Sequence, residues 1–497
     1  MLGKSSLIVC GSLLLPLIAS GQLMIEPLLV EGEPVPGIPG ATFGNPDRVA
    51  TNDSGQALIL TDRETLWGRQ GPEQPFVPLI EIGDPAPGVP DAFFRLFTTQ
   101  PARLGETGIM ATRLSLEGAG VSSGNDRALF SIDVNNGDVH LIAREGQDAP
   151  DTTTRYAGLF PQALASDDGP ITFAAELEGF VFDNLPDALY EVPAAGETPS
   201  LLARRGDAAP GLEPGVTFEG IRLTSIENGT LFFSAKVEGP GVDVFNDEGL
   251  WYGTPIRGNQ ILLAREGDPA PGSAAGDVFG TFFSPTVLED GQVMFLSELG
   301  SDLALYLADP LSGTTTLIVK EGDAVPGVPG ATIVILDFPQ ISQAGIFATR
   351  ATLEGPGIDP ENNFAMLQGD RAGFRVLGRE GEEFPSGSGE GRFRILNDAG
   401  QLAFITFENA SGTRLYATRG DGRLLLIAQE GTQVDVGGVA RTISRIDQLG
   451  LATRDFFDSF ADDGTLSFLA DLDDGSVTGV FSTFIPDVVF EDGFEAD

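Results

Sequence analysis

The chain has 497 residues, with 72 Asp and Glu against 29 Lys and Arg, a formal net charge of −43, one histidine and one cysteine. That acidity makes nucleic acid and anionic membrane surfaces poor partners, while 41% apolar residues and 34 Phe exclude a disordered acidic polymer. The lone Cys10 leaves no disulfide framework and no Cys-ligated metal.

In chain order, residues 1–21 come first. Lys4, the apolar stretch Leu7 to Ile18 and the small residues Ala19-Ser20-Gly21 predict a secretory signal cleaved before Gln22. The apolar run is too short to span a bilayer, and Leu7-Ile8-Val9-Cys10 lacks the small residue of a lipoprotein signal. Export is therefore expected, with a mature chain that has no thiol and a net charge of about −44.

Residues 22–485 repeat one unit eight times. A hydrophobic run ends in an acidic turn, as in Leu262-Leu263-Ala264-Arg265-Glu266-Gly267-Asp268-Pro269, with the glycine at Gly32, Gly83, Gly146, Gly206, Gly267, Gly322, Gly381 and Gly431. A polar turn then leads into an apolar strand, as in Asn397-Asp398-Ala399-Gly400-Gln401-Leu402-Ala403-Phe404. Its glycine falls at Gly55, Gly108, Gly169, Gly229, Gly291, Gly345, Gly400 and Gly464. The mean period is 57 residues, room for four short strands. The third strand carries the signatures Leu66-Trp67, Leu129-Phe130, Leu189-Tyr190, Leu250-Trp251, Leu305-Tyr306, Met366-Leu367, Leu415-Tyr416 and Val480-Phe481. No unit shows a helical period. The acidic turn carries Pro in seven of eight copies, Asp435 replacing it in the last, which stiffens the passage to the next unit. The pattern predicts an all-β, eight-bladed β-propeller.

The two ends predict how the ring closes. The last unit has no fourth strand after Phe481, and Leu28-Leu29-Val30 is a fourth strand with nothing before it. The N-terminal strand is expected to complete the last blade and remove both open edges. A linear β-solenoid is the competing architecture, but its rungs are usually shorter and need caps.

At Asn397-x-x-Gly400-x-x-Ala403-Phe404 the sequence resembles the bacterial secreted tandem-repeat proteins named for an N-x-x-G-x-x-A-F motif and noted for varied C-terminal anchors. Only this copy matches all four positions; after Asn52-Asp53-Ser54-Gly55, Leu58 and Ile59 replace Ala-Phe. The resemblance implies a bacterial protein at the cell surface, in the medium or in the periplasm, with no assigned chemistry. The tail, residues 486–497, is similar in Phe490-Glu491-Asp492-Gly493-Phe494-Glu495 to the acidic endings of many exported proteobacterial proteins, which implies a sorting motif; a frayed acidic tail is the alternative. It holds no hydrophobic helix, so no transmembrane anchor is expected.

Catalytic chemistry is thinly supplied. His140 is the only histidine and falls in a fourth-strand run, so no triad or zinc site assembles around it. Ser166-Asp167-Asp168-Gly169 and Ala461-Asp462-Asp463-Gly464 are similar to the Asp box of sialidase-like propellers. They place Phe173 and Phe468 four residues after Gly, where that box wants three, and read as hairpin turns. The residue after the first glycine is acidic in six copies, Glu33, Asp84, Asp207, Asp268, Asp323 and Glu382; either it caps a Pro turn or the six form a broken ring that attracts cations. Units two, four and six carry an insertion with Glu eight residues before Asn. Its oxygens, Glu117, Asn125 and Asp126, then Glu238, Asn246 and Asp247, then Glu354 and Asn362, are the metal candidates, for calcium, against polar hairpin loops as the plain reading.

No catalytic residue and no other cofactor is expected. Tyr190, Tyr306, Tyr416, Trp67 and Trp251 share one repeat position, which marks core rather than a site. The reading is a monomeric, secreted or cell-surface binding or structural module whose partner is an extracellular glycan or protein. The alternative is a polysaccharide-active hydrolase or lyase using paired carboxylates from the blade loops.

Overall fold

The structure, a computed structural model, describes residues 23–486 apart from 98–103, 161–163, 166–169, 181–184, 195, 228, 385–387, 409–411, 421, 449–458, 474 and 476. The expected signal segment and nearly all of the acidic tail lie outside the described residues.

The described residues form eight antiparallel sheets and no helix. Blade one pairs Pro46–Thr51, Ala57–Thr61, Thr65–Arg69 and Val77–Glu81 in sequence order. Blades two to seven repeat this order, beginning at Ala92, Tyr156, Thr217, Phe282, Thr332 and Ser388, with one extra two-stranded pairing in each of blades three and six. The predicted eight-bladed propeller of four-stranded units is therefore the fold.

Blade eight closes as expected. The N-terminal strand Ile25–Val30 pairs antiparallel with Val477–Phe484, matching Pro27 to Phe481 and Leu29 to Val480. The Glu31 N–H donates to the Thr478 carbonyl at 3.0 Å, and the Thr483 hydroxyl donates to the Met24 carbonyl at 2.8 Å. This blade also gains an inner strand, Gln433–Val436, hairpinned to Val439–Gln448 through Gly437 and Gly438, both at positive φ. It forms where Asp435 stands in place of the proline, and the Asp435 carboxylate accepts the Gly438 N–H of the turn at 2.7 Å.

The third-strand signature has a mechanical meaning. In blades one to seven the pairing with the fourth strand shifts register between the two signature residues, as at Leu66/Trp67 and Leu250/Trp251. The closing strand makes the same shift between Pro27 and Leu29, opposite Phe481 and Val480. A bulge at a constant place gives each outer strand its twist. The aromatic at the bulge then stacks on its cross-strand partner, Phe233 on Trp251 at 5.7 Å and Phe295 on Tyr306 at 5.8 Å. Trp251, Tyr190 and Tyr306 have no exposure, so the shared aromatic position is core.

The buried residues fall into eight clusters, each built from two neighbouring blades. The cluster joining blade eight to blade one holds Leu29, Leu469 and Val480 against Val49, Ile59 and Trp67. Eight interfaces for eight blades is the count of a closed ring. Deleting residues 22–32 should remove Leu29 and Val30, 2% and 3% exposed, at about 1.5–3 kcal/mol each, and bare the edge of Val477–Phe484. A lower melting temperature with self-association in size-exclusion chromatography is expected. An unchanged melting temperature and a monodisperse product would contradict closure.

Candidate functional site

Strand order divides the ring into two faces. One carries the acidic links between blades and the loops joining second to third strands; the other carries the turns joining first to second and third to fourth strands.

On the first face the acidic link is a pair of braces. Glu precedes the glycine in six copies, Glu31, Glu145, Glu266, Glu321, Glu380 and Glu430. In three of them the carboxylate accepts the N–H at or near the start of the third strand: Thr478 for Glu31 at 3.3 Å, Leu303 for Glu321 at 3.2 Å and Thr413 for Glu430 at 2.9 Å. Glu321 also accepts the Leu336 N–H of the next blade at 2.8 Å. Blade three exchanges the parts: Arg205 takes the Glu position and pairs with buried Asp187 at 2.7 Å, and Asp187 accepts the Leu177 N–H. The acidic residue after the glycine caps the strand end three residues back, Asp84 to the Glu81 N–H at 2.8 Å, Asp207 to Arg204 at 3.1 Å and Asp323 to Lys320 at 2.9 Å. Burial raises the Asp268 carboxyl while the Arg265 backbone and charge lower it. Glu382 pairs with Arg379 at 3.1 Å, and Glu33 carries no capping bond of this kind in the described contacts. Asp84, Asp207, Asp268 and Asp323 are thus each turned to their own strand end.

The insertions in blades two, four and six are one device built three times. Asn125 accepts the Ser122 N–H and donates to the Gly120 carbonyl; Asn246 does the same with Asp243 and Gly241, and Asn362 with Asp359 and Gly357. Both ends of each amide are thus engaged inside the loop. Asp247 pairs with Lys236 at 3.0 Å. Glu117, Glu238 and Glu354 are exposed beside Gly118, Gly239 and Gly355, where a Cβ would come within 2.1, 2.6 and 2.5 Å of the backbone oxygens of Asp91, Gly215 and Gly330. The Glu-Gly pair is constant because the backbones touch there. Among the described residues no group of three or more His, Cys, Asp or Glu is arranged to hold a metal. The loop tips differ: Ser123-Gly124 and Pro360-Glu361 against Val244-Phe245, which are 72% and 75% exposed.

The second face holds groups the sequence analysis passed over. Asn52 and Asn397, 3% and 5% exposed, each accept the N–H and donate to the side-chain oxygen of the Gln four residues on, then donate to the next blade, to the carbonyls of Gly105 at 3.1 Å and Ala461 at 2.9 Å. The next turn position reads Asp53, Glu106, Asp167, Glu227, Glu289, Gln343, Asp398 and Asp462, acidic in seven of eight units. In four units its side chain accepts a backbone N–H from the preceding blade: Glu106 from Asp53 at 3.1 Å, Asp53 from Asp462, Asp462 from Asp398 and Asp398 from Gln343. The signal was in the sequence, as a column across units rather than a spacing within one. Asp167 and Asp168 lie outside the described residues, and Asp462 is a link of this relay.

His140 lies in the fourth strand Val139–Arg144 of blade two, half-buried and packed beside Gly196 of the next blade. A shallow cavity of about 300 Å³ opens at the link between blades five and six, lined by Val325, Val328, Pro329 and their neighbours.

One carboxyl of these links titrates near neutrality. Glu145 is 5% exposed, and burial pushes its carboxyl up to about 7 against the pull of Arg127 and Arg113. The folded chain binds this proton more tightly than the unfolded one, so stability is lost as pH rises from about 4.5 through about 7. Glu145→Gln stays neutral throughout, and should raise the melting temperature at pH 8 while leaving it near the parent value at pH 5. An equal shift at both would contradict the buried charge.

Comparisons with known proteins add the following. A search of the curated proteins found no match. An oligogalacturonate lyase in complex with manganese shares 13% identity over 80% of this chain and 97% of its own, with a TM-score of 0.41. An oligogalacturonate lyase from Vibrio parahaemolyticus shares 12% over 94% and 98%, at 0.40, and YCF48 from Cyanidioschyzon merolae 11% over 80% and 100%, at 0.34. These are distant likenesses and carry no functional weight. Residues 16–199, 186–304 and 300–487 each match the profile of a family of unknown function, DUF7453, and because the three matches span most of the chain, the protein belongs to that family.

Proposed function

We propose that this propeller is a secreted or cell-surface, non-catalytic binding module. The observation that carries the reading is the reuse of polar groups: acidic and amide side chains that sequence alone offered as a site recur in one bracing role across several blades. A catalytic centre needs a constellation that one blade has and the others lack. The blade-four loop does depart from its copies, by presenting Val244 and Phe245 to solvent, and an exposed aromatic beside an aliphatic residue suits contact with a sugar ring or a protein side chain rather than bond cleavage. The partner in this reading is an extracellular glycan or protein, met on the face of the acidic links, and no cofactor takes part.

The test is a glycan and protein binding screen on the mature chain, run beside hydrolase and lyase assays on common polysaccharides and a calcium titration. Binding weakened about tenfold or more by Phe245→Ala is expected, with no turnover, and with NaCl and CaCl₂ acting alike at matched ionic strength. Turnover abolished by one carboxylate substitution would replace this reading with the polysaccharide-active one. A saturable calcium stabilisation lost in Asp126→Ala with Asp247→Ala would assign the insertions to the metal.

A further inference from the structure

Lysine is scarce in this chain. Lys4, Lys236 and Lys320 are the only copies, and every other basic residue is an arginine. The difference is chemical: a guanidinium keeps its proton in a protein, whereas an ammonium that gives one up becomes a nucleophile. Lys320 donates to the Glu321 backbone carbonyl at 3.1 Å. Lys236, on the second strand of blade four, faces a carboxyl instead, with Nζ 3.0 Å from Oδ2 of Asp247.

The three blades with insertions allow a direct comparison. The N–H groups of Leu116, Val237 and Leu353 donate to the residue before the third strand, to the carbonyls of Asp126, Asp247 and Asn363 at 2.7, 2.8 and 2.8 Å. Those of Glu145, Glu266 and Glu380 donate to the first residue of that strand, to the carbonyls of Arg127, Glu248 and Phe364 at 3.1, 2.9 and 2.9 Å. These backbone bonds put Ser115, Lys236 and Thr352 at one position, Asp126, Asp247 and Asn363 at a second, and Glu145, Glu266 and Glu380 at a third. Of the three blades, only blade four supplies an amine, a carboxyl beside it and a second carboxyl. The Glu266 carboxyl hydrogen-bonds the Asp247 side chain, and burial together with the Asp247 charge raises it above its ordinary value. It is thus a proton donor already in contact with the group that Lys236 faces. The Lys236 and Asp247 side chains are 29% and 17% exposed, and Glu248, across the ladder from Lys236, is buried.

We propose that Lys236 and Asp247 join in an intramolecular isopeptide bond, with Glu266 as general acid and base. The Nζ lone pair attacks Cγ of Asp247; the Nζ–Cγ bond forms and one Cγ–Oδ bond breaks. Of the three ammonium protons, one stays on the amide nitrogen and two leave with the Oδ atom as water. Glu266 relays them and ends in the protonation state in which it began. One positive and one negative charge disappear, nothing is oxidised or reduced, and no co-reactant is needed. Holding the two groups in contact supplies the effective concentration that condensation lacks in free solution. The amide also replaces an ion pair whose desolvation the half-buried site otherwise carries. The bond ties together the root of the insertion whose tip presents Val244 and Phe245. It forms once per chain with no turnover, and stands whether or not that tip meets a partner.

Intact mass of the purified chain is the test. The parent should be lighter than its sequence by one water, and the loss should survive denaturation. Trypsin should fail after Lys236 in the denatured chain, leaving one peptide from Leu223 to Arg257, in which fragmentation places the link between Lys236 and Asp247. Lys236→Arg keeps a cation at the site and Asp247→Ala removes the acceptor; both should have full mass. Glu266→Gln keeps the ion pair and should slow the loss of water about a hundredfold or more, so that the fresh product has full mass. A parent chain of full mass that trypsin cuts after Lys236 has an ordinary ion pair, and overturns the proposal without reference to any variant. A link from Lys236 to Glu248 or Glu266, or an undiminished loss of water in Glu266→Gln, equally overturns it.

Discussion

The packing of Leu29 and Val480 against Ile59 and Trp67 is the contact on which the ring depends. Seven interfaces between consecutive blades form from chain that is close in sequence. The eighth brings the N-terminal strand to the far end of the molecule, and only with it does each blade have a neighbour on both sides. Without it the edge of Val477–Phe484 and one face of each flanking blade would stand open to water. The pairing of Pro27 with Phe481 copies the bulge seen in the other blades, so blade eight is completed by a strand of the same kind.

Around that constraint an unusual charge load is accommodated by giving carboxylates local work. They receive the N–H groups that strand ends and tight turns leave without a ladder partner. Glu31, Glu321 and Glu430 brace third strands, Asp84, Asp207 and Asp323 cap fourth strands, and Glu106, Asp53, Asp462 and Asp398 tie the first turns of blades six, seven, eight, one and two in series. Several of these bonds cross between blades, so acidity and ring geometry support each other. Glu145 shows the cost where burial outweighs the available cations.

Much of this architecture was legible in the residues. Two glycine turns at a fixed period, a bulky dipeptide between them and complementary ends were enough for blade number, strand number and closure, because each is a local signal repeated eight times. The extra strand of blade eight was not legible: Asp435 marks a missing proline, but the Gly437-Gly438 hairpin behind it depends on what blade eight leaves unpaired. The role of Asn125, Asn246 and Asn362 also needed geometry, since an oxygen-rich loop that binds calcium and one that binds its own backbone have the same composition. The relay through Asp53 and Asp398 escaped notice because its partners lie one whole unit away.

Amide hydrogen exchange on the mature chain tests the closed ring most directly. The N–H group of Glu31, which donates to Thr478, and those of Leu29 and Val480, paired in the same ladder, should exchange as slowly as those of Leu250 and Trp251 in the interior of blade four, because all belong to one cooperative ring. Exchange of Leu29 and Glu31 at the rate of unpaired chain, with blade four still protected, would contradict it.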